Sequence, residues 1–84
     1  MDISRAVLTE HALGQMAKRQ VTAADVNRVL TSPEQVLEVR AGRVVAQAVA
    51  GEYLLRVFVD VDRDPAEVVT AYRTSKIEKY RSQP

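Results

Sequence analysis

Tyr72, Arg73, Thr74, Ser75 and Lys76 put a phenol, a guanidinium, two hydroxyls and an ammonium into five consecutive positions. Such groups together suit phosphate chemistry: cations hold the non-bridging oxygens while a positioned acid or base moves a proton. The basic character continues along the chain. Residues 73–81 carry Arg73, Lys76, Lys79 and Arg81 against Glu78 alone, a local charge of +3 in a chain whose net charge is +1. A cationic patch of this kind fits phosphate binding. It fits equally a helix C-terminus whose cations complement the dipole.

Two more positions carry chemical interest. His11, the one histidine, shares a helix edge with Gln15 and Arg19 at four-residue spacing. A proton carrier supported by a cation is what phosphodiester cleavage uses; a solvated surface histidine is the plainer reading. Arg56 stands between Leu54 and Phe58 on a mostly apolar strand face. It must reach solvent, pair with a carboxylate such as Asp60 or Glu67, or point into a functional cleft. If it shares its sheet face with Tyr72, the two flank one groove suited to base stacking and phosphate contact. Asp60, Asp62 and Asp64 resemble the opening of a calcium loop. Pro65, however, stands where that loop needs glycine, and Ala71 where it needs a bidentate glutamate, so an acidic loop closed by proline is expected. No metal and no cofactor are expected. The chain has no cysteine, which excludes disulfides and thiolate metal sites.

These residues depend on a short series of elements. Thr9 is placed to cap a first helix ending near Gln20, with Leu8 stapled to Leu13 and with Leu8, Ala12, Leu13 and Met16 as its apolar side. Thr22 with Asp25 reads as a capping box, and Val21 with Val26 as a staple, for a helix over Ala23–Thr31 that buries Val26, Val29 and Leu30. Ser32-Pro33 stops it. Strands are predicted over residues 35–40, 43–50, 53–60 and 67–73, with turns at Ala41-Gly42 and Gly51-Glu52. The 43–50 run reads as small and apolar. The 53–60 run is apolar on both pleats, which places it inside the sheet. Thr74 and Ser75 then cap a short basic helix with Ile77 and Tyr80 on one face. Short connections favour an antiparallel meander. The expected fold is one α+β domain over residues 1–84: two N-terminal helices, a four-stranded antiparallel sheet and a short C-terminal helix, with the helices on one side of the sheet.

At 84 residues the chain makes one domain with a thin core. No apolar run approaches the ~20 residues that cross a bilayer, and the opening MDISR lacks the apolar stretch of a signal peptide. The cytoplasm is the expected compartment, with no membrane partner.

Three pieces occur in order: TEHALGQMAKRQVTAADV; YLLRVFVD, followed by a loop holding Pro65; and VVTAYRTSKIEKY. Over residues 8–81 the chain resembles the uncharacterised domain family numbered forty-two fifty-eight among domains of unknown function. The resemblance implies a fold similar to that of the BrnT and RelE toxins, small α+β members of bacterial toxin–antitoxin pairs that cut RNA without metal. It carries over His11, Arg19, Arg56, Tyr72 and the Thr74, Ser75, Lys76 turn. Gln20 stands where that family usually has glycine, and Arg81 where many members have tryptophan.

The function expected on this basis is RNA binding with metal-independent endoribonuclease activity, and an antitoxin-like protein as partner. His11 or Tyr72 would transfer the proton. Arg56, Arg73 and Lys76 would hold the phosphate, Arg19 would support His11, and Ser75, Lys79 and Tyr80 would complete the RNA contact. The alternatives are a non-catalytic protein-interaction module and an RNA-binding regulator that does not cut.

Overall fold

Both N-terminal helices begin at the threonines marked as caps. In the computed structural model, which describes residues 2–81, a two-residue strand β1 (Val7–Leu8) leads to Thr9, whose Oγ1 accepts from the Ala12 N–H at 3.0 Å and opens α1 (Glu10–Lys18). Thr22 and Asp25 exchange the reciprocal bonds of a capping box at 3.1 and 3.3 Å, opening α2 (Ala23–Thr31). There follow β2 (Gln35–Arg40), β3 (Arg43–Ala50), β4 (Tyr53–Asp60), β5 (Glu67–Thr74) and α3 (Ile77–Arg81). The sheet order is β1-β5-β4-β3-β2, so β4 lies inside the sheet, as its two apolar pleats require. Strands β2 to β5 form the antiparallel meander.

The sheet differs from the expected four antiparallel strands. It is five-stranded and mixed, because β1 pairs parallel to β5 with Val7 opposite Glu67 and Leu8 opposite Val68. Two residues are too few to show alternation in a sequence. Long-range bonds make them a strand: the Val7 N–H donates to the Ala66 carbonyl at 2.9 Å. The Thr9 hydroxyl meanwhile donates to the Val68 carbonyl at 3.0 Å, so the cap of α1 also tethers that helix to β5.

One sheet face holds the main core. Val44 and Ala46 of β3, Leu55, Val57 and Val59 of β4, and Val68 and Ala71 of β5 cluster with buried side chains of α1 and α2. Val21 and Val26 are both buried in that cluster, so the second staple is closed. The first is not. Leu13 is 45% exposed, because each helical residue turns by about 100° and Leu13 faces round from buried Ala12 towards solvent. Val68 and Ala71 both face the core although they are three apart. A bulge at Val69, between the pairs Phe58–Thr70 and Val59–Val68, absorbs the extra residue and restores the parity.

The helices do not all lie on one side. While α1 and α2 cover the core face, α3 folds over the other. The Tyr80 carbonyl accepts from Gln47 Nε2 at 3.2 Å, and Arg81 pairs with Glu34 at 3.3 Å. The reversal starts at Thr74, whose Oγ1 accepts from the Lys76 N–H at 3.1 Å, a hydroxyl-closed turn just ahead of the helix. Among the described residues no helix is long and apolar enough to cross a membrane.

Candidate functional site

The register of the central strands assembles a cluster on the face that α3 covers. Arg56 of β4 lies directly opposite Tyr72 of β5 on one side and Gln47 of β3 on the other. Residues paired in this way share a sheet face. Arg56 Nη1 donates to Tyr72 Oη at 2.7 Å and Nε donates to Gln47 Oε1 at 2.8 Å. Three rings surround the guanidinium: Tyr80 at 4.2 Å, Phe58 at 5.5 Å and Tyr72 at 5.8 Å from its carbon to the ring centroids. Phe58 and Tyr72 stack on each other with centroids 6.0 Å apart.

All of these partners are neutral. The two carboxylates that could have matched Arg56 are engaged elsewhere: Asp60 accepts from Arg43 at 2.6 and 3.2 Å, and Glu67 pairs with Arg63 at 3.7 Å. The Arg43 hydrogen bond holds the Asp60 carboxyl below its ordinary value of 3.8, against the opposing push of burial. Arg56 therefore has no carboxylate partner among the described residues. A half-buried guanidinium left uncompensated among aromatic rings attracts an anion more strongly than a solvated one does.

Gln47 is the residue that sequence reasoning missed. It is 0% exposed. Besides accepting from Arg56, it donates through Nε2 to Gln35 Oε1 at 2.6 Å and to the Tyr80 carbonyl at 3.2 Å. One buried amide thus fixes the guanidinium and anchors α3 above it. The signal was present, since a glutamine interrupts the run Val44, Val45, Ala46, Ala48, Val49, and a buried amide must be hydrogen-bonded.

Other expected site residues lie elsewhere. Arg73, next to Tyr72, projects from the opposite face, because neighbouring strand residues alternate. It lies opposite Leu55, stacks on the Tyr53 ring at 4.4 Å and donates to Gln20 Oε1 at 2.6 Å. Arg56 and Arg73 do not hold one phosphate between them. Arg19 donates to Thr70 Oγ1 at 2.9 Å and to the Ala71 carbonyl at 3.3 Å, so its guanidinium is spent on β5 and not on His11. His11 is exposed on α1, the layer that packs on the sheet face opposite Arg56. Ser75 and Lys76 are exposed at the turn before α3, and the Lys79 ammonium lies 5.3 Å from the Tyr80 ring centroid. Among the described residues no three His, Cys, Asp or Glu side chains converge on a common point.

Residues 8–73 match the family described as Domain of unknown function (DUF4258). The chain belongs to that family. No curated protein and no solved structure matches it. The DUF4258 match takes in Gln47, Arg56, Tyr72, His11 and Arg19. It stops at residue 73, ahead of Thr74, Ser75, Lys76 and Tyr80. In this DUF4258 chain the guanidinium and its two hydrogen-bonding side chains therefore come from the matched region, while the ring that covers the guanidinium comes from the segment beyond it.

Proposed function

We propose that this protein is an RNA-directed, toxin-like protein that cleaves its target by metal-independent transesterification, with Arg56 and Tyr72 at the reacting phosphate. One observation carries the reading: Arg56 is fixed by two hydrogen bonds to neutral groups and has no carboxylate partner among the described residues. Phosphate is the anion that a fixed guanidinium with adjacent rings recognises in single-stranded RNA. In the reaction the ribose 2′-oxygen attacks the adjacent phosphorus and the bond to the 5′-oxygen breaks, leaving a cyclic phosphate and a 5′-hydroxyl. The proton lost from the 2′-hydroxyl passes to water. Tyr72 accepts from Arg56 through its oxygen, so its own proton is available to the departing 5′-oxygen. Arg56 stabilises the charge that develops on the non-bridging oxygens. A fold similar to that of the BrnT and RelE toxins, which the family resemblance implies, would fit the same reading, with an antitoxin-like protein as partner.

A second reading is favoured by Tyr80. Its ring lies on Arg56 and its carbonyl is held by Gln47, an intramolecular cover suited to a non-catalytic interaction module. Incubation of the purified protein with single-stranded RNA in excess chelator separates the two. Products ending in a cyclic phosphate support cleavage. RNA binding without cleavage leaves a regulator, and no binding at any salt concentration leaves the interaction module.

A further inference from the structure

On the sheet face opposite Arg56, a cleft of about 510 Å³ opens between the α1–α2 turn and the adjoining ends of β3, β4 and β5. That volume falls within the range of small-molecule sites, roughly 300–1,000 Å³. Gln20, Asp25, Arg28, Tyr53, Leu55 and Arg73 contribute to its walls. Two guanidiniums face one carboxylate there. Arg28 pairs with Asp25 at 3.1 Å, whereas Arg73 has no carboxylate partner among the described residues. Arg73 is held in place all the same, with its guanidinium carbon 4.4 Å from the Tyr53 ring centroid and donating to Gln20 Oε1.

Gln20 is the revealing residue. It is the one described non-glycine residue with positive φ, at 59°. Glycine adopts that conformation without the Cβ penalty that glutamine incurs. The conformation ends α1 in a Schellman turn, with the Gln20 N–H donating to the Ala17 carbonyl at 3.4 Å and the Val21 N–H to the Met16 carbonyl at 2.9 Å, and the side chain presented at that turn accepts the 2.6 Å bond that positions Arg73.

We infer that this cleft binds a nucleoside monophosphate unit. Arg73, with Arg28 on the same cleft wall, takes the phosphate, and the base lies against the apolar surface of Ala50 and the side of Tyr53 that Arg73 leaves open. Phosphate alone has no use for the apolar wall, and an uncharged base has none for Arg73. The same unit occurs as a free nucleotide and as the phosphorylated end of an RNA chain. The site adds to the RNA reading but shares no residue with the Arg56 cluster, so either can fail alone.

The test is a titration of isotope-labelled protein, followed by NMR, with each of the four nucleoside monophosphates, with adenosine and with inorganic phosphate. Saturable shifts at Gln20, Tyr53 and Arg73 are expected with the monophosphates, and weaker binding with adenosine or phosphate alone. Arg73→Ala weakens binding by about tenfold or more, the scale of one charge-assisted hydrogen bond. Gln20→Gly, which keeps the turn but removes the clamp, lowers affinity while thermal stability is unchanged or higher. Arg5→Ala, an exposed cation remote from the cleft, leaves binding unchanged. Preference for an oligoribonucleotide with a 5′-phosphate over the same chain without one, and over the mononucleotide, assigns the cleft to an RNA end; equal binding of mononucleotide and phosphorylated chain assigns it to free nucleotide. Absence of saturable binding in the millimolar range overturns the inference, and so does affinity unaltered in folded Arg73→Ala. Because the titration measures no cleavage, its failure leaves the Arg56–Tyr72 reading standing.

Discussion

Arg56 Nη1 sits 2.7 Å from Tyr72 Oη, across directly paired positions of β4 and β5. The bond joins a fixed cation to a proton donor on one face of the sheet, and it follows from register alone. Tyr72→Phe keeps the ring and removes the hydroxyl. If Tyr72 protonates the departing oxygen, cleavage falls by about a hundredfold or more while RNA affinity changes little. Arg56→Ala lowers cleavage by a similar factor. His11→Ala, in the other layer, has the smaller effect. Single-turnover cleavage beside equilibrium binding measures all three, and full activity in Tyr72→Phe removes that residue from the reaction.

Gln47→Glu puts a carboxylate where Arg56 Nε now donates to an amide oxygen. The charge of Arg56 is then neutralised from within, and RNA affinity falls by about tenfold or more because the phosphate loses its cation. Circular dichroism separates this outcome from unfolding. A folded Gln47→Glu protein with wild-type affinity would show that Arg56 does not meet the phosphate.

Lys76 and Lys79 lie in the basic segment, where the Lys79 ammonium sits 5.3 Å from the centroid of the Tyr80 ring that covers Arg56. Removing both weakens binding to all RNA sequences alike, since interactions with phosphate carry no sequence information. The log–log dependence of affinity on salt becomes shallower by about 0.7 for each single-strand phosphate that the variant no longer neutralises. Salt-titrated binding of the double alanine variant reads both effects. An unchanged slope means that neither lysine touches the backbone.

Arg43 and Asp60 form a doubly hydrogen-bonded pair across β3 and β4. Arg43→Ala costs about 1.5–3 kcal/mol at neutral pH, the range for hydrogen bonds to a charged group. The folded carboxyl titrates below its ordinary value of 3.8. Its contribution is therefore complete above that value and is lost as the pH falls through the lowered one. The stability gap between wild type and Arg43→Ala, measured by urea unfolding, is expected to hold from neutrality to about pH 5 and to close in stronger acid. A gap independent of pH would assign the loss to packing.

The distribution of what could be read in advance follows the range of the interactions. Caps, stops and alternation are local, and they defined α2, the β2 to β5 meander and the inner place of β4. A parity argument along β4 and β5 was enough to pose the Arg56–Tyr72 pairing as a question. It does not support the expected grouping of Arg73 with Arg56, because alternation sends Arg73 to the face opposite its neighbour Tyr72. Nor could it show β1, where two residues become a strand only through pairing with Glu67 and Val68 and the Val7 bond to Ala66.

The α+β element order, the cap residues and the concentration of cations near the end of the chain are all legible in the primary structure, because each depends on residues a few positions apart. Folding in three dimensions settles which carboxylates Arg43 and Arg63 occupy, and hence that Arg56 is left among neutral partners. It also decides that α3 closes over one sheet face while Gln20 and Arg73 meet on the other. Those outcomes rest on strand register, on the bulge at Val69 and on bonds between residues such as Gln20 and Arg73, or Gln47 and Tyr80, that are remote in sequence. A one-residue slip in register would have sent the same side chains to opposite faces.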